Sequence, residues 1–272
     1  MKLNTDVASL QAQKNLSASS AALEKTLAVL ASGKRITSAA DDAAGLGVAT
    51  QLDAQAASFS MAMRNANDGI SIVQSADAGY ATLSDSVARM RELAMQSANG
   101  SLSAQDRAAI GAELTQLKGQ VDQVTSTASY NGTPLLATGG ASVSLQVGAG
   151  GTSSDAIDVK LPDTTLQSLG LSGVNLDTAA GARSSLDAID GALQRLSSAR
   201  ADLGASQNRL LSAVDTAQSS FVTRTEASGR ITDADMAAAS SSLAAGQILA
   251  QAGVAVLAQA HRRPALALKL LG

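Results

Sequence analysis

Residues 45–98 read GLGVATQLDAQAASFSMAMRNANDGISIVQSADAGYATLSDSVARMRELAMQSA, and an apolar or small residue returns at every seventh place. The row is Leu52, Phe59, Ala66, Val73, Tyr80, Val87 and Ala94, with Met63, Ile70, Leu83 and Met90 in neighbouring rows. A period of seven held this long marks a helix wound on helical partners. At its usual rise such a helix runs on the order of 80 Å. Asn99-Gly100 ends it, and a second helix is expected from near Ser103, with Ile110, Leu117 and Val124 beside Leu114, Val121 and Ala128. Asn131-Gly132 is a turn, and Pro134 stops further helix.

Outward from that helix the pattern changes, then returns. Residues 141–147 and 156–161 alternate polar and apolar around a Gly-rich stretch, Gly148 to Asp155, which reads as a β-hairpin. Ser168 to Gly181 is a polar connection without a period. Ile189, Leu196, Leu203, Leu210 and Ala217 then form another seven-residue row, which Ser228-Gly229-Arg230 is expected to interrupt. A last helix carries Leu243, Ile248, Leu249, Ala252, Val256 and Leu257 and is expected to stop at Pro264. The first segment has its own rows, Leu3 to Leu10 and then Leu16, Leu23 and Leu30, with Val7 and Leu27 alongside, before Gly33.

The two ends mirror each other about the hairpin. The expected fold is mainly α: a rod of long heptad-repeat helices, with a terminal coiled coil, a helical bundle and a small β-hairpin region at about 135–182. Two Ala/Leu helices at the ends leave apolar sides uncovered, and uncovered stripes invite partners.

Composition narrows the function. Of 272 residues, 45% are hydrophobic but only 1% aromatic, and about one in five is alanine, which suits closely approached helices more than a pocketed enzyme. With no cysteine there is no disulfide and no thiolate chemistry. A single histidine cannot supply a His-rich metal site. A net charge of −3 gives no footprint for nucleic acid. No unbroken run of 18 apolar residues occurs, so no membrane insertion is expected. The N-terminus has no apolar leader, which taken alone points to the cytoplasm.

No motif carries chemistry, and neither cofactor nor metal is expected. Gly148-Ala149-Gly150-Gly151 lacks the Lys-Ser/Thr of a phosphate loop. Asp41-Asp42 reads as a helix cap or a partner for arginine. His261 beside Arg262 and Arg263 reads as a solvated basic tip. Without a usable histidine no nucleophile–base–orienter set can be assembled.

Several strings resemble bacterial flagellin. They are Leu3-Asn4-Thr5-Asp6-Val7-Ala8-Ser9-Leu10, Ser32-Gly33-Lys34-Arg35-Ile36 and Arg64-Asn65-Ala66-Asn67-Asp68-Gly69-Ile70. To these are added Arg89-Met90-Arg91-Glu92-Leu93-Ala94-Met95, Ala201-Asp202-Leu203-Gly204-Ala205-Ser206-Gln207-Asn208-Arg209 and Gln247-Ile248-Leu249-Ala250-Gln251-Ala252-Gly253. The likeness is collinear along the chain.

The resemblance implies a subunit of the flagellar filament, extracellular, exported unfolded and without a cleaved signal through the flagellar type III apparatus. It implies an inner coiled coil of residues 1–44 and 230–272, a rod-like domain of 45–229 and no large outer domain. The terminal helices would carry self-assembly through Leu3, Val7, Leu10, Leu16, Leu23, Leu27, Leu30, Leu243, Ile248, Leu249, Val256 and Leu257, and they are expected to be largely disordered in the monomer. Implied partners are other copies of the chain, the filament cap, the hook–filament junction proteins and an export chaperone. Arg89, Leu93 and Glu113 match positions through which many flagellins engage vertebrate Toll-like receptor 5, although Ala88 stands where glutamine is common. Ser and Thr within 138–178 are implied acceptors for O-linked sugars.

The tail His261-Arg262-Arg263-Pro264 is more basic than the family pattern, and Met236 replaces an aromatic. Rival readings are a hook–filament junction protein, which shares both ends but forms a limited ring, and a coiled-coil signalling rod, which needs a membrane or docking segment. An enzyme would need an insert that is not present.

Overall fold

The computed structural model describes residues 6–137 and 142–271, with side chains as far as Arg262. Leu3 and residues 138–141 lie outside it. Five α-helices carry the described chain: α1 (Val7–Ser32), α2 (Ala43–Ser97), α3 (Ala104–Thr127), α4 (Ala179–Thr232) and α5 (Met236–Leu271). Four short strands, β1 (Ser129–Tyr130), β2 (Thr133–Pro134), β3 (Ser142–Gln146) and β4 (Ala156–Lys160), form two antiparallel hairpins. The fold is mainly α, with a small hairpin region.

Each helix begins where a short polar side chain takes up free N–H groups. Asp6 accepts from Ala8 and Ser9, Asp42 from Gly45, Thr178 from Gly181, and Asp235 from Ala237 and Ala238. Ser103 and Asp106 form a reciprocal capping box at α3. Gly33, at φ 69°, closes α1 in the left-handed conformation that glycine adopts without strain.

The chain forms two compact units. One comprises Gln55–Val222. Its core holds the heptad rows: Ala66, Val73, Tyr80, Val87 and Ala94 of α2, and Ile189, Leu196, Leu203, Leu210 and Ala217 of α4, are all buried. Ile110, Leu114 and Val121 of α3 join them. Arg91 pairs with Asp190 at 2.5 Å and Arg200 with Asp77 at 2.8 Å, joining α2 to α4 along the exposed edges of the seam. The polar-looking connection 168–181 buries Leu169, Leu171, Val174 and Leu176. Its carbonyls are claimed from outside it, Leu176 by the Ser97 hydroxyl at 2.6 Å and Val174 by the Lys118 ammonium at 2.8 Å.

The hairpin β3–β4 pairs Leu145 with Ile157 and Val143 with Val159, so its apolar face turns to the helices. Gly69 of α2 makes room for Leu145, whose methyl lies where a Cβ would stand. The loop between the strands is tied down by Asp155, which accepts from the Thr152 hydroxyl at 2.6 Å, and by Gln146, which donates to the carbonyls of Gly148 and Gly150. In the β1–β2 turn Asn131 and Gly132 both take positive φ, 48° and 78°, as a two-residue turn of this hand requires.

The other unit comprises Met1–Ala54 with Thr223–Gly272. In it α1 lies against α5. A short antiparallel bridge, Lys34 to Asp233, and the bond from Ala234 N–H to the Gly33 carbonyl at 3.0 Å join the chain at the ends of α1 and α4. The unit boundaries fall within α2 and α4, at 54/55 and 222/223.

Three local expectations are corrected. Helix α4 runs through Ser228-Gly229-Arg230 and stops after Thr232; an interior glycine costs only about 1 kcal/mol, and the break falls where Asp233-Ala234-Asp235 caps the next helix. Helix α5 continues past Pro264 to Leu271, forfeiting one backbone bond while the turns on either side stay helical. The absence of an unbroken apolar run understated the apolarity of α5. Met236–Arg262 is long and apolar enough by composition to cross a membrane, because scattered Ser, Gln and Gly break the run without lowering its average much.

Candidate functional site

The terminal pair is where apolar surface and exposure coincide. Facing α5, α1 presents Leu16, Leu23 and Leu30, each half-buried. Facing α1, α5 presents Leu243, Gly246, Gly253 and Leu257, also half-buried, with Ala260 buried. The seam is thin: in α1 only Ser9 is fully covered. Near it His261 is exposed, as a solvated basic tip would be, with its Nε2 3.4 Å from the Ser9 hydroxyl.

Other apolar side chains of the pair are open to solvent. Val7, Leu10 and Leu27 of α1 and Ile248, Leu249 and Val256 of α5 are between 47% and 68% exposed, as are Met236 and Val254. Of the sequence-selected terminal positions, five therefore line the α1–α5 seam, six lie open to solvent, and Leu3 is outside the described residues. Isolated exposed leucines are ordinary, but several on one helix pair mark an interaction surface.

Below the pair, Asp41 accepts from the N–H and hydroxyl groups of Thr37 and Ser38 and pairs with Lys25 at 2.7 Å. The Lys25 ammonium, with these donors, holds the Asp41 carboxyl below the usual carboxylate range. The doublet Asp41-Asp42 thus does structural work as turn anchor and helix cap, with lysine where arginine was expected.

A second candidate surface lies on α2 and α3. Arg89 bridges Glu113 at 2.8 Å and Glu92 at 2.7 Å, and all three side chains are 45–68% exposed. The hydrogen bonds to Glu92 and Glu113 raise the affinity of the guanidinium for its proton. Leu93, by contrast, is buried at 1% exposure. The structure brings Arg89 and Glu113 together and puts Leu93 in the core, where no partner touches it without repacking. Among the implied sugar acceptors, Thr164 is buried and bonded to the Leu136 carbonyl, whereas Ser153, Ser154, Ser168 and Ser172 are exposed.

Among the described residues no group of three or more His, Asp and Glu could hold a metal. What stands out is capped long helices on an Ala/Leu core with apolar faces left open, the build of a structural helical protein. The N-terminal helical region of bacterial flagellin matches residues 3–140, and its C-terminal helical region matches residues 186–271. The chain is 34% identical over 271 residues to a flagellin of Halalkalibacterium halodurans, covering all of both chains. It is 33% identical over 303 residues to the flagellin of Bacillus subtilis, again covering both in full. It is also 34% identical over 285 residues to the flagellar filament 33 kDa core protein of Treponema phagedenis, with full coverage of both. The crystal structure of Bacillus cereus flagellin superposes with a TM-score of 0.52 at 30% identity, over 57% of this chain and 88% of that one. A putative flagellar hook-associated protein from Vibrio parahaemolyticus shares the fold, with a TM-score of 0.60 at 18% identity over 71% of this chain and all of that one. The chain belongs to the bacterial flagellin family.

Proposed function

We propose that this chain is a filament-forming flagellin, a subunit that polymerises into a helical tube by burying the open faces of α1 and α5 against other copies. The observation that carries this reading is the set of six exposed apolar residues, Val7, Leu10, Leu27, Ile248, Leu249 and Val256, on a helix pair that covers little of itself. Each such side chain contributes about 1.5–3 kcal/mol when fully buried, and non-identical patches that do not close a ring yield an open helical filament. In this reading residues 1–44 and 230–272 form the inner coiled-coil domain and 45–229 the rod-like domain. The chain leaves the cell unfolded through the flagellar type III apparatus, and a cap, junction proteins and an export chaperone meet it on the way. The absence of cysteine suits a chain that passes between redox compartments.

Electron microscopy of purified monomer with short filament seeds tests the reading. Tubes of uniform width growing from the seeds support it. A monomer that binds seed ends without elongating them overturns it in favour of a junction adaptor.

Receptor recognition is a second reading, favoured by the exposed Arg89–Glu113 pair. Arg89→Ala is then expected to reduce signalling through vertebrate Toll-like receptor 5 while leaving the fold intact. Unchanged signalling would remove the reading.

A further inference from the structure

Two glycines of α5 each lie under a leucine of α1. A Cβ built on Gly253 would stand 3.1 Å from a methyl of Leu16, and one on Gly246 would stand 3.1 Å from a methyl of Leu23. The contacts repeat seven residues apart on both helices and run in opposite directions, so they define one antiparallel register. One more heptad along the same register pairs Ser9 with Ala260, and both are among the few buried residues of this unit. The contact between Ser9 and His261 fits the same frame. One heptad the other way places Leu30 opposite Ala239, another small residue. Along this row α5 is small throughout, and α1 supplies leucine at three of the four places.

The alternative registers are unequal. Slipping α1 by half a heptad sets Leu16, Leu23 and Leu30 against the row of Leu243, Ala250 and Leu257, where leucine meets leucine at two places and the helices must separate. Slipping by a whole heptad is opposed by the Lys34–Asp233 bridge at the base of the pair. Knobs seated in glycine holes also let the two backbones approach closely, which is how a thin seam with no large buried side chain among the described residues holds together.

We propose that Gly246 and Gly253 are positioning residues that fix the register of the α1–α5 pair, and with it which apolar side chains the pair turns outward. Substituting either with leucine shifts or separates α1 and scrambles the outward face. Removing the opposing leucine restores the fit.

The chain contains no cysteine, so an introduced pair reports the register directly. Ser9→Cys/Ala260→Cys is expected to cross-link on oxidation, and Ser9→Cys/Gly253→Cys, one heptad out, is not. Adding Gly246→Leu is expected to lower the first yield by about tenfold, and adding Leu23→Ala to that chain to restore it, as coupled neighbours do. Gly253→Leu with Leu16→Ala provides a second, independent swap. Equal yields from the two cysteine pairs, or a swap that fails to rescue at both sites, would overturn the proposal. Seeded elongation of the same variants should follow cross-linking. That readout rests on the filament reading, whereas cross-linking does not. Correct cross-linking without elongation would therefore count against the filament and leave the register standing.

Discussion

The Lys25 ammonium sits 2.7 Å from the Asp41 carboxylate, and that carboxylate also takes four hydrogen bonds from Thr37 and Ser38. One acidic side chain thereby anchors the link between α1 and α2. Its proton affinity is lowered in the folded chain, first by Lys25 and then by Thr37. The stabilisation is accordingly present above the ordinary carboxylate pKa of about 4 and is lost as pH falls through the lower folded value. Asp41→Asn should lower Tm at neutral pH and flatten its fall in acid, as read by thermal unfolding between pH 7 and pH 2. An unchanged acid profile would show that the anchor adds nothing.

Tyr80 is fully buried and donates to the Pro162 carbonyl at 2.9 Å. Burial, with Asp163 adding to it, pushes its ionisation above the ordinary tyrosine range. Folding stability linked to this group holds below pH of about 10 and declines above it, where the unfolded chain can ionise and the folded one does not. In a Tyr130→Phe chain, where Tyr80 is the remaining tyrosine, alkaline spectrophotometric titration should give a midpoint above 10. Tyr80→Phe strands the carbonyl and should cost about 1–3 kcal/mol.

Gly69 is an interior helix residue whose replacement by alanine would, on propensity alone, add about 1 kcal/mol of stability. Here the Leu145 side chain occupies the place of the missing Cβ. Gly69→Ala should therefore destabilise by about 1–3 kcal/mol, the usual result of overpacking. Pairing it with Leu145→Ala should recover part of the loss in denaturant melts.

Arg89 and Leu93 lie four residues apart on α2 and should behave differently. Leu93→Ala empties a buried site and should cost about 2–5 kcal/mol. Arg89→Ala removes exposed, solvent-screened ion pairs and should leave the melt close to that of the parent. Urea melts of the two variants give this ordering, and it means that lost receptor signalling is interpretable for Arg89 but not for Leu93.

Much of this was legible where periodicity and caps agree. The seven-residue rows of α2 and α4 place their buried residues from Ala66 to Ala94 and from Ile189 to Ala217, because one helical face repeats at that spacing. The Ser103–Asp106 box and the Asn131-Gly132 turn announce themselves by residue type. Residues 168–181 were not legible, because their leucines follow no period and are buried by long-range packing. Gly229 read as a break for lack of any local sign that α4 would extend to the cap at Asp235. Resemblance grouped Leu93 with Arg89 and Glu113, but helix phase sends it inward. The glycine holes under Leu16 and Leu23 were not legible, because a glycine within a helical stretch does not announce which side chain packs against it.

Ile248 and Leu249, 67% and 61% exposed, stand at the centre of the open face of α5. Ile248→Glu combined with Leu249→Glu leaves the Leu16–Gly253 and Leu23–Gly246 contacts untouched. Seeded elongation of this variant, followed by electron microscopy beside circular dichroism of the monomer, is the most direct measurement. If the open face drives assembly, helix content stays within error of the parent while seeds fail to grow. Elongation at the parent rate, with both glutamates in place, would contradict it.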